Sequence, residues 1–171
     1  MKRFAILFVL TALSVGLACS SRSDVSYKDD VEKALQQADL KDVTVAEDRD
    51  KNTITLGGTL HSEEAKARAA DVAKSAANTR IIANEISIQP VGAESEAKGA
   101  AAALDDGIES NYKAALIASR LDKQHISYTA KNGVLTLTGK VRTVEERHQA
   151  EQLAIATPHV QQVLNQIDVN R

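Results

Sequence analysis

The chain has 171 residues, 43% hydrophobic, 3% aromatic and 26% charged, with no Trp, one Cys and a formal net charge of −2. Its cores must be aliphatic, which argues against a deep aromatic-lined pocket for a small-molecule substrate. The charge is too mild for nucleic-acid binding by the whole chain, and one Cys allows no intrachain disulfide, so packing must hold the fold.

Lys2 and Arg3 precede an apolar run from Phe4 to Leu17. The run is shorter than the ~20 residues that span a bilayer and ends in small residues, which reads as an export signal over residues 1–18. Cys19 follows at once in Val15-Gly16-Leu17-Ala18-Cys19. That arrangement resembles a bacterial lipoprotein box, with Cys19 as the lipid-attachment residue. Gly16-Leu17-Ala18 also fits ordinary cleavage, which leaves Cys19 a free thiol. With lipid attached, Ser20 points to outer-membrane sorting, because the Asp of inner-membrane retention is absent. Residues 19–28 read as a polar tether.

A first unit spans residues 29–90. Val31, Ala34, Leu35 and Ala38 keep the helical period, with Asp29 and Asp30 as expected caps. A strand from Val43 to Glu47 and the turn Asp50-Lys51-Asn52 follow. In the next strand Ile54, Leu56 and Leu60 alternate with Thr55 and Thr59. Gly58 falls on its inward face, where a glycine marks a bulge or the close approach of a helix or neighbouring backbone. A helix capped at Ser62 runs through Ala65, Ala69, Val72, Ala73 and Ala76. The last strand, Ile81 to Gln89, carries Asn84 on the face of Ile86 and Ile88, where its amide must be satisfied and so helps specify the fold.

The connector, residues 91–107, is rich in Ala, Gly and Glu and fits either a flexible linker or a partial helix. Beyond it, residues 108–171 repeat the first unit at an offset of 81 without a gap. Asn52-Thr53-Ile54-Thr55-Leu56-Gly57-Gly58-Thr59-Leu60 returns as Gly133-Val134-Leu135-Thr136-Leu137-Thr138-Gly139-Lys140-Val141, and Asn84, Ile86 and Ile88 as Asn165, Ile167 and Val169. Such a record marks a duplicated folding unit. Asn132-Gly133 between two alternating runs is a strong hairpin signal. Each copy therefore predicts an α+β unit, a three-stranded sheet with two helices on one face.

His61, His125, His148 and His159 lack metal-ligand spacing, and no nucleophile elbow, phosphate loop or His-Glu-x-x-His motif occurs. No enzyme activity, metal or cofactor is expected. Charge divides unevenly: residues 29–90 carry twelve acids and eight bases, residues 108–171 six acids and eight bases. The second copy is thus the one suited to an anionic partner. Its candidates are Lys140 and Arg142 flanking Val141, Arg147 one turn into the next helix, and Arg120 and Lys123 at the end of the preceding helix. They read either as ordinary solvated surface or as contacts for anionic headgroups, each basic group then contributing on the order of 1 kcal/mol.

The order helix, strand, Gly-Val-Leu-Thr-Leu-Thr-Gly-Lys-Val, helix, Val-Gln-Gln-Val-Leu-Asn-Gln-Ile-Asp-Val resembles the BON domain family (bacterial OsmY and nodulation). The second copy carries the pattern through Gly133, Val134, Leu137, Gly139, Val141, Val160, Val163, Asn165 and Val169. The first departs at Asn52 and at Asn78-Thr79, and the second at His159, where the family keeps glycine. The resemblance implies two tandem αββαβ domains, no catalytic activity, and an exported envelope protein linked to osmotic stress and outer-membrane integrity. It also implies an anionic phospholipid surface as partner, or assistance to other envelope proteins. The rival to lipid contact is a protein-interaction or chaperone-like module that uses an exposed sheet edge or an apolar helix face.

Overall fold

The computed structural model describes residues 26–170. The leader, Cys19 and most of the tether lie outside the described residues. The first domain opens with α1, Lys28–Gln37, which buries Val31 and Leu35 one turn apart. Its N-cap is Tyr27, with no side-chain cap; the expected caps, Asp29 and Asp30, lie inside the first turn, where they oppose the helix dipole. The start of α1 is instead fixed at long range, because Tyr27 N donates to Glu47 Oε1 at 3.2 Å. Strands β1, Val43–Asp48, and β2, Thr53–Leu60, form an antiparallel hairpin. Helix α2, Glu63–Ala76, is capped by Ser62, whose side chain accepts from Ala65 N. Ala69 and Ala73 on α2 are fully buried, and such small side chains let a helix lie close on a sheet.

The expected last strand is split into β3, Ile81–Asn84, and β4, Ser87–Ile88, both parallel to β2 and in one register with it. Glu85 N still donates to Leu56 O at 2.9 Å. The outward groups of Glu85, however, are taken by the second domain: its carbonyl accepts Asn132 Nδ2 at 2.8 Å and its carboxylate pairs with Lys131 at 2.8 Å.

The connector is not a separate element. Helix α3 runs unbroken from Glu94 to Ala118, 25 residues, and its last part is the first helix of the second domain. Alanine has the highest helix propensity, and Glu94 and Glu96 suit the first turn. Ile108, Tyr112 and Leu116 form its buried stripe. Then come β5, His125–Lys131, β6, Val134–Val141, α4, Val144–Ile155, and β7, Gln162–Val169. β6 is central, antiparallel to β5 and parallel to β7. Each domain has its own aliphatic core, built around Leu35, Ile54 and Leu56 in one and Leu116, Leu135 and Leu137 in the other.

The duplication is also written in the backbone. Positive φ recurs in pairs 81 apart: Asp39 (62°) and Arg120 (58°), Asn52 (54°) and Gly133 (83°), Gly58 (100°) and Gly139 (110°), Asn78 (53°) and His159 (67°). Asn78 and His159, where the family keeps glycine, thus hold the conformation a glycine would supply. At Gly58 and Gly139 no other residue fits. A Cβ there would run into the carbonyl oxygen of Asp42 or His125 on the neighbouring chain segment, so of the sequence alternatives the cause is close approach of backbone.

The two sheets meet along β3 and β7. Residues 82 and 84 turn their backbone groups away from β2, and the Gln162 side chain caps them: Nε2 donates to Ile82 O at 2.6 Å and Oε1 accepts Asn84 N at 3.3 Å. The amide stands in for the peptide of a neighbouring strand, which protects an edge otherwise open to pairing with another chain. Farther along β7, Gln166 Nε2 lies 3.5 Å from Thr53 Oγ1, and Asp168 pairs with Lys51 at 3.5 Å. Lys66 Nζ reaches across to Asn132 O at 3.2 Å. Burial in the seam pulls the Lys66 ammonium below the usual lysine range, against the opposing pull of Glu63 and Asp105.

Candidate membrane-contact site

The five basic side chains proposed from sequence come together at one end of the second domain. β5 and β6 place His125 opposite Lys140, and Arg142 follows β6 directly. Helix α3 ends at Ala118, and Arg120 in the turn beyond it adopts positive φ, as Asp39 does after α1. That turn brings Lys123 to the same end. Gln124 Nε2 donates to Glu146 Oε1 at 2.8 Å, which ties the turn to the first coil of α4, where Arg147 sits. All five side chains are exposed, and none has a carboxylate partner within 4.0 Å among the described residues.

The acids nearby are Asp122, Glu145, Glu146 and Asp168. Two are engaged. Glu146 closes a capping box with Thr143 and accepts from the backbone of Arg142 and Thr143 at 2.8 and 3.1 Å. Asp168 is held by Lys51 across the seam. The site also carries apolar tips that the sequence reading missed: Val144, the first residue of α4, is 64% exposed, and Ile117, near the end of α3, is 54% exposed. Val144 could have been found, since its counterpart 81 positions earlier in the first copy is the charged Glu63. Beside Ile117 lies a pocket of about 300 Å³ lined by Lys113, Leu116, Leu121, Ile126 and Tyr128.

The remaining singled-out residues are structural in position. Asn84 Nδ2 donates to Lys66 O at 3.0 Å and joins β3 to α2. Its buried Oδ1 has no hydrogen-bond partner among the described residues, so the amide expected to be satisfied is only half so. Asn165 Nδ2 reaches Glu151 Oε2 at 3.3 Å on α4, and its Oδ1 accepts Ile167 N at 3.2 Å. Gly133 sits in the β5–β6 hairpin, its amide donating to Asp105 Oδ1 at 3.0 Å. Gly58 and Gly139 admit the neighbouring backbone, as above.

Sequence reasoning missed the buried charge cluster of the first domain. The Glu47 carboxylate pairs with Arg80 at 3.3 Å and accepts Ser26 Oγ at 2.7 Å, while Arg49 lies at 3.6 Å. Arg80, only 6% exposed, also donates to Asn52 Oδ1 at 2.8 Å, and its guanidinium lies over the Tyr27 ring at 5.5 Å. Burial pushes the Glu47 carboxyl up, but Ser26, the Tyr27 amide, Arg80 and Arg49 together hold it below the usual 4.5. The Glu47 carboxylate is held entirely by internal partners, which marks a device that fixes the chain start rather than a reaction centre. No group of three or more His, Cys, Asp or Glu side chains is arranged for a metal among the described residues. No described helix is long and apolar enough to cross a membrane.

The fold defines a duplicated α+β module, a three-stranded sheet backed by two helices in each copy. The BON domain profile matches residues 23–90 and 104–171, and the chain belongs to the BON domain family. Comparison with the curated proteins gives no match. Among solved structures, the chain is similar to the C-terminal domain of CdsD, described as the structural protein of the Type III secretion system of Chlamydia trachomatis. The identity is 15% and the TM-score 0.34, over 81% of this chain and 62% of that one. A second CdsD structure gives 14% identity and a TM-score of 0.35, over 84% and 61%. The chain thus spans under two thirds of the length of these structures.

Proposed function

We propose that this protein is a non-enzymatic component of the cell envelope that contacts anionic phospholipid through the basic end of its second domain. In this reading it is exported, held at the periplasmic face of the outer membrane by lipid on Cys19, and supports envelope integrity under osmotic stress. One observation carries the reading: Arg120, Lys123, Lys140, Arg142 and Arg147 share one end, without carboxylate partners, around the exposed Val144 and Ile117. Basic groups attract an anionic surface at on the order of 1 kcal/mol each, and apolar tips gain by leaving water. A lipid on Cys19 would raise the local concentration of the site at the membrane, so modest intrinsic affinity suffices.

The test is sedimentation of residues 20–171 with vesicles of phosphatidylcholine alone or mixed with phosphatidylglycerol. The expected result is binding only to the anionic vesicles, weakened by salt. Neutralising Lys140, Arg142 and Arg147 together is expected to abolish it. Unchanged binding by that variant would remove the site. A second reading, protein docking without lipid recognition, is favoured by the outer strands β1 and β5, each of which pairs on one side only. Its signature is capture of envelope proteins that survives the triple substitution.

A further inference from the structure

The seam fixes more than an interface, because it sets the direction in which the second domain points. Along β7, Gln162 meets Ile82 and Asn84, Gln166 meets Thr53, and Asp168 meets Lys51. Thr53 is in register with Ile81, and Lys51 lies just before it in the turn. Rising numbers on β7 therefore meet falling numbers on the first domain, so the parallel pairs β2–β3 and β6–β7 run in opposite senses. Helix α3 permits this. At 25 residues it is about 37 Å long, enough to carry the chain back along the length of the first domain.

The consequence concerns the two ends of the body. The chain enters the first domain at the start of β2, where Ser26 and Tyr27 are tied to Glu47 and where Asn78 Nδ2 donates to the Tyr27 hydroxyl at 3.1 Å. The basic site lies at the end of β6, and Lys140 is in register with Asp168, the partner of Lys51. We infer that the seam is a positioning device: it turns the basic end of the second domain to the same side as the N-terminal tether, so that both face one anionic membrane surface. Resting on the lipid reading above, this assigns the contact to the second domain alone. The near end of the first domain carries Asp48 and Asp50 alternating with Arg49 and Lys51, and both of those cations are engaged, by Glu47 and by Asp168. Its counterparts to the basic residues, Asp39, Asp42, Thr59 and His61, face the opposite way.

Residues 20–171 suffice for the test, since both cores and the seam lie within them, and they contain no cysteine. A donor dye is placed on Asp50→Cys or on Asp42→Cys, at opposite ends of β1 and about 20 Å apart. Energy transfer is read to an acceptor on the headgroups of phosphatidylglycerol-containing vesicles. Transfer several-fold stronger from position 50 than from position 42 is expected. In the seam variant Glu85→Ala/Gln162→Ala, binding should persist while that difference collapses. Binding with equal transfer from both sites, or stronger transfer from position 42, overturns the orientation and leaves the lipid reading standing. Failure to bind anionic vesicles at all takes down the lipid reading and this inference with it.

Discussion

The two domains share a backbone and differ in what they bury. Where the first places Glu47 beside Arg80, the positions 81 later are Tyr128 and Gln161, and where the first buries Val31 the second buries Tyr112. Tyr112 and Tyr128 meet edge to face with centroids 5.1 Å apart, and the Tyr112 hydroxyl donates to Ala150 O at 3.2 Å. Burial raises the Tyr112 hydroxyl far above the ordinary tyrosine range, reinforced by Tyr128, so it stays a neutral donor. One copy thus fixes its first helix to its sheet with charge, the other with aromatic contact and with α3 carboxylates that accept amides of β5 and its turn. The surfaces diverge in the same way: Arg120, Lys123, Lys140 and Arg142 occupy the places of Asp39, Asp42, Thr59 and His61. Duplication kept the scaffold and freed each copy to specialise.

The comparison can be broken most severely where the copies agree. Gly58→Ala and Gly139→Ala each force a Cβ against backbone at positive φ, and each is expected to destabilise its own domain by on the order of 4 kcal/mol. Hydrogen exchange resolved by domain should show the loss confined to the substituted copy. Next comes Arg80→Met, which removes the closer of two cations on the buried Glu47 carboxylate and leaves it Arg49, Ser26 and the Tyr27 amide. Breaking a buried pair costs about 3–5 kcal/mol, and the low end of that range is expected here, in the first domain only, read by denaturant unfolding.

Acid should separate the domains by a related route. The folded Glu47 carboxyl lies below its unfolded value of 4.5, so its contribution is full above pH 4.5 and is lost as pH falls through the folded value. The first domain is expected to lose stability below about pH 4.5, and Glu47→Gln to remove that component, measured as unfolding midpoint against pH. The smallest expected contrast lies in the helix caps. Thr143 closes a capping box with Glu146, whereas Ser62 has Ala65 at the corresponding position and caps alone. Thr143→Ala should cost about 1 kcal/mol and Ser62→Ala somewhat less, compared by thermal unfolding.

Local rules made the fold legible. Alternation in β2 and β6, the Asn132-Gly133 turn and the caps at Ser62 and Thr143 each need only a few neighbouring residues to operate. The basic end was partly legible, because Lys140, Arg142 and Arg147 are close in sequence, while Arg120 and Lys123 join them through a hairpin register that alternation already implied. Glu47 and Arg80 were hidden by 32 intervening positions and by looking like ordinary surface charges. Gln162 was hidden for the same reason: nothing nearby in sequence says that its amide will close the edge of a strand 80 residues earlier. The connector was ambiguous because Gly99 and Gly107 oppose the helix its alanines favour. Its packing decides the matter, since Asp105 and Glu109 on α3 accept the amides of Asn132, Gly133 and Ala130.

Because that connector is a helix, its length is quantised. One residue inserted between Glu94 and Gly107 would advance the second domain by about 1.5 Å and swing it by about 100°, moving Gln162 off β3 and Asp168 off Lys51. A flexible spacer would absorb the same insertion unnoticed. The connector, exposed along most of its length and nearly featureless in composition, is therefore expected to tolerate many substitutions and hardly any change in length.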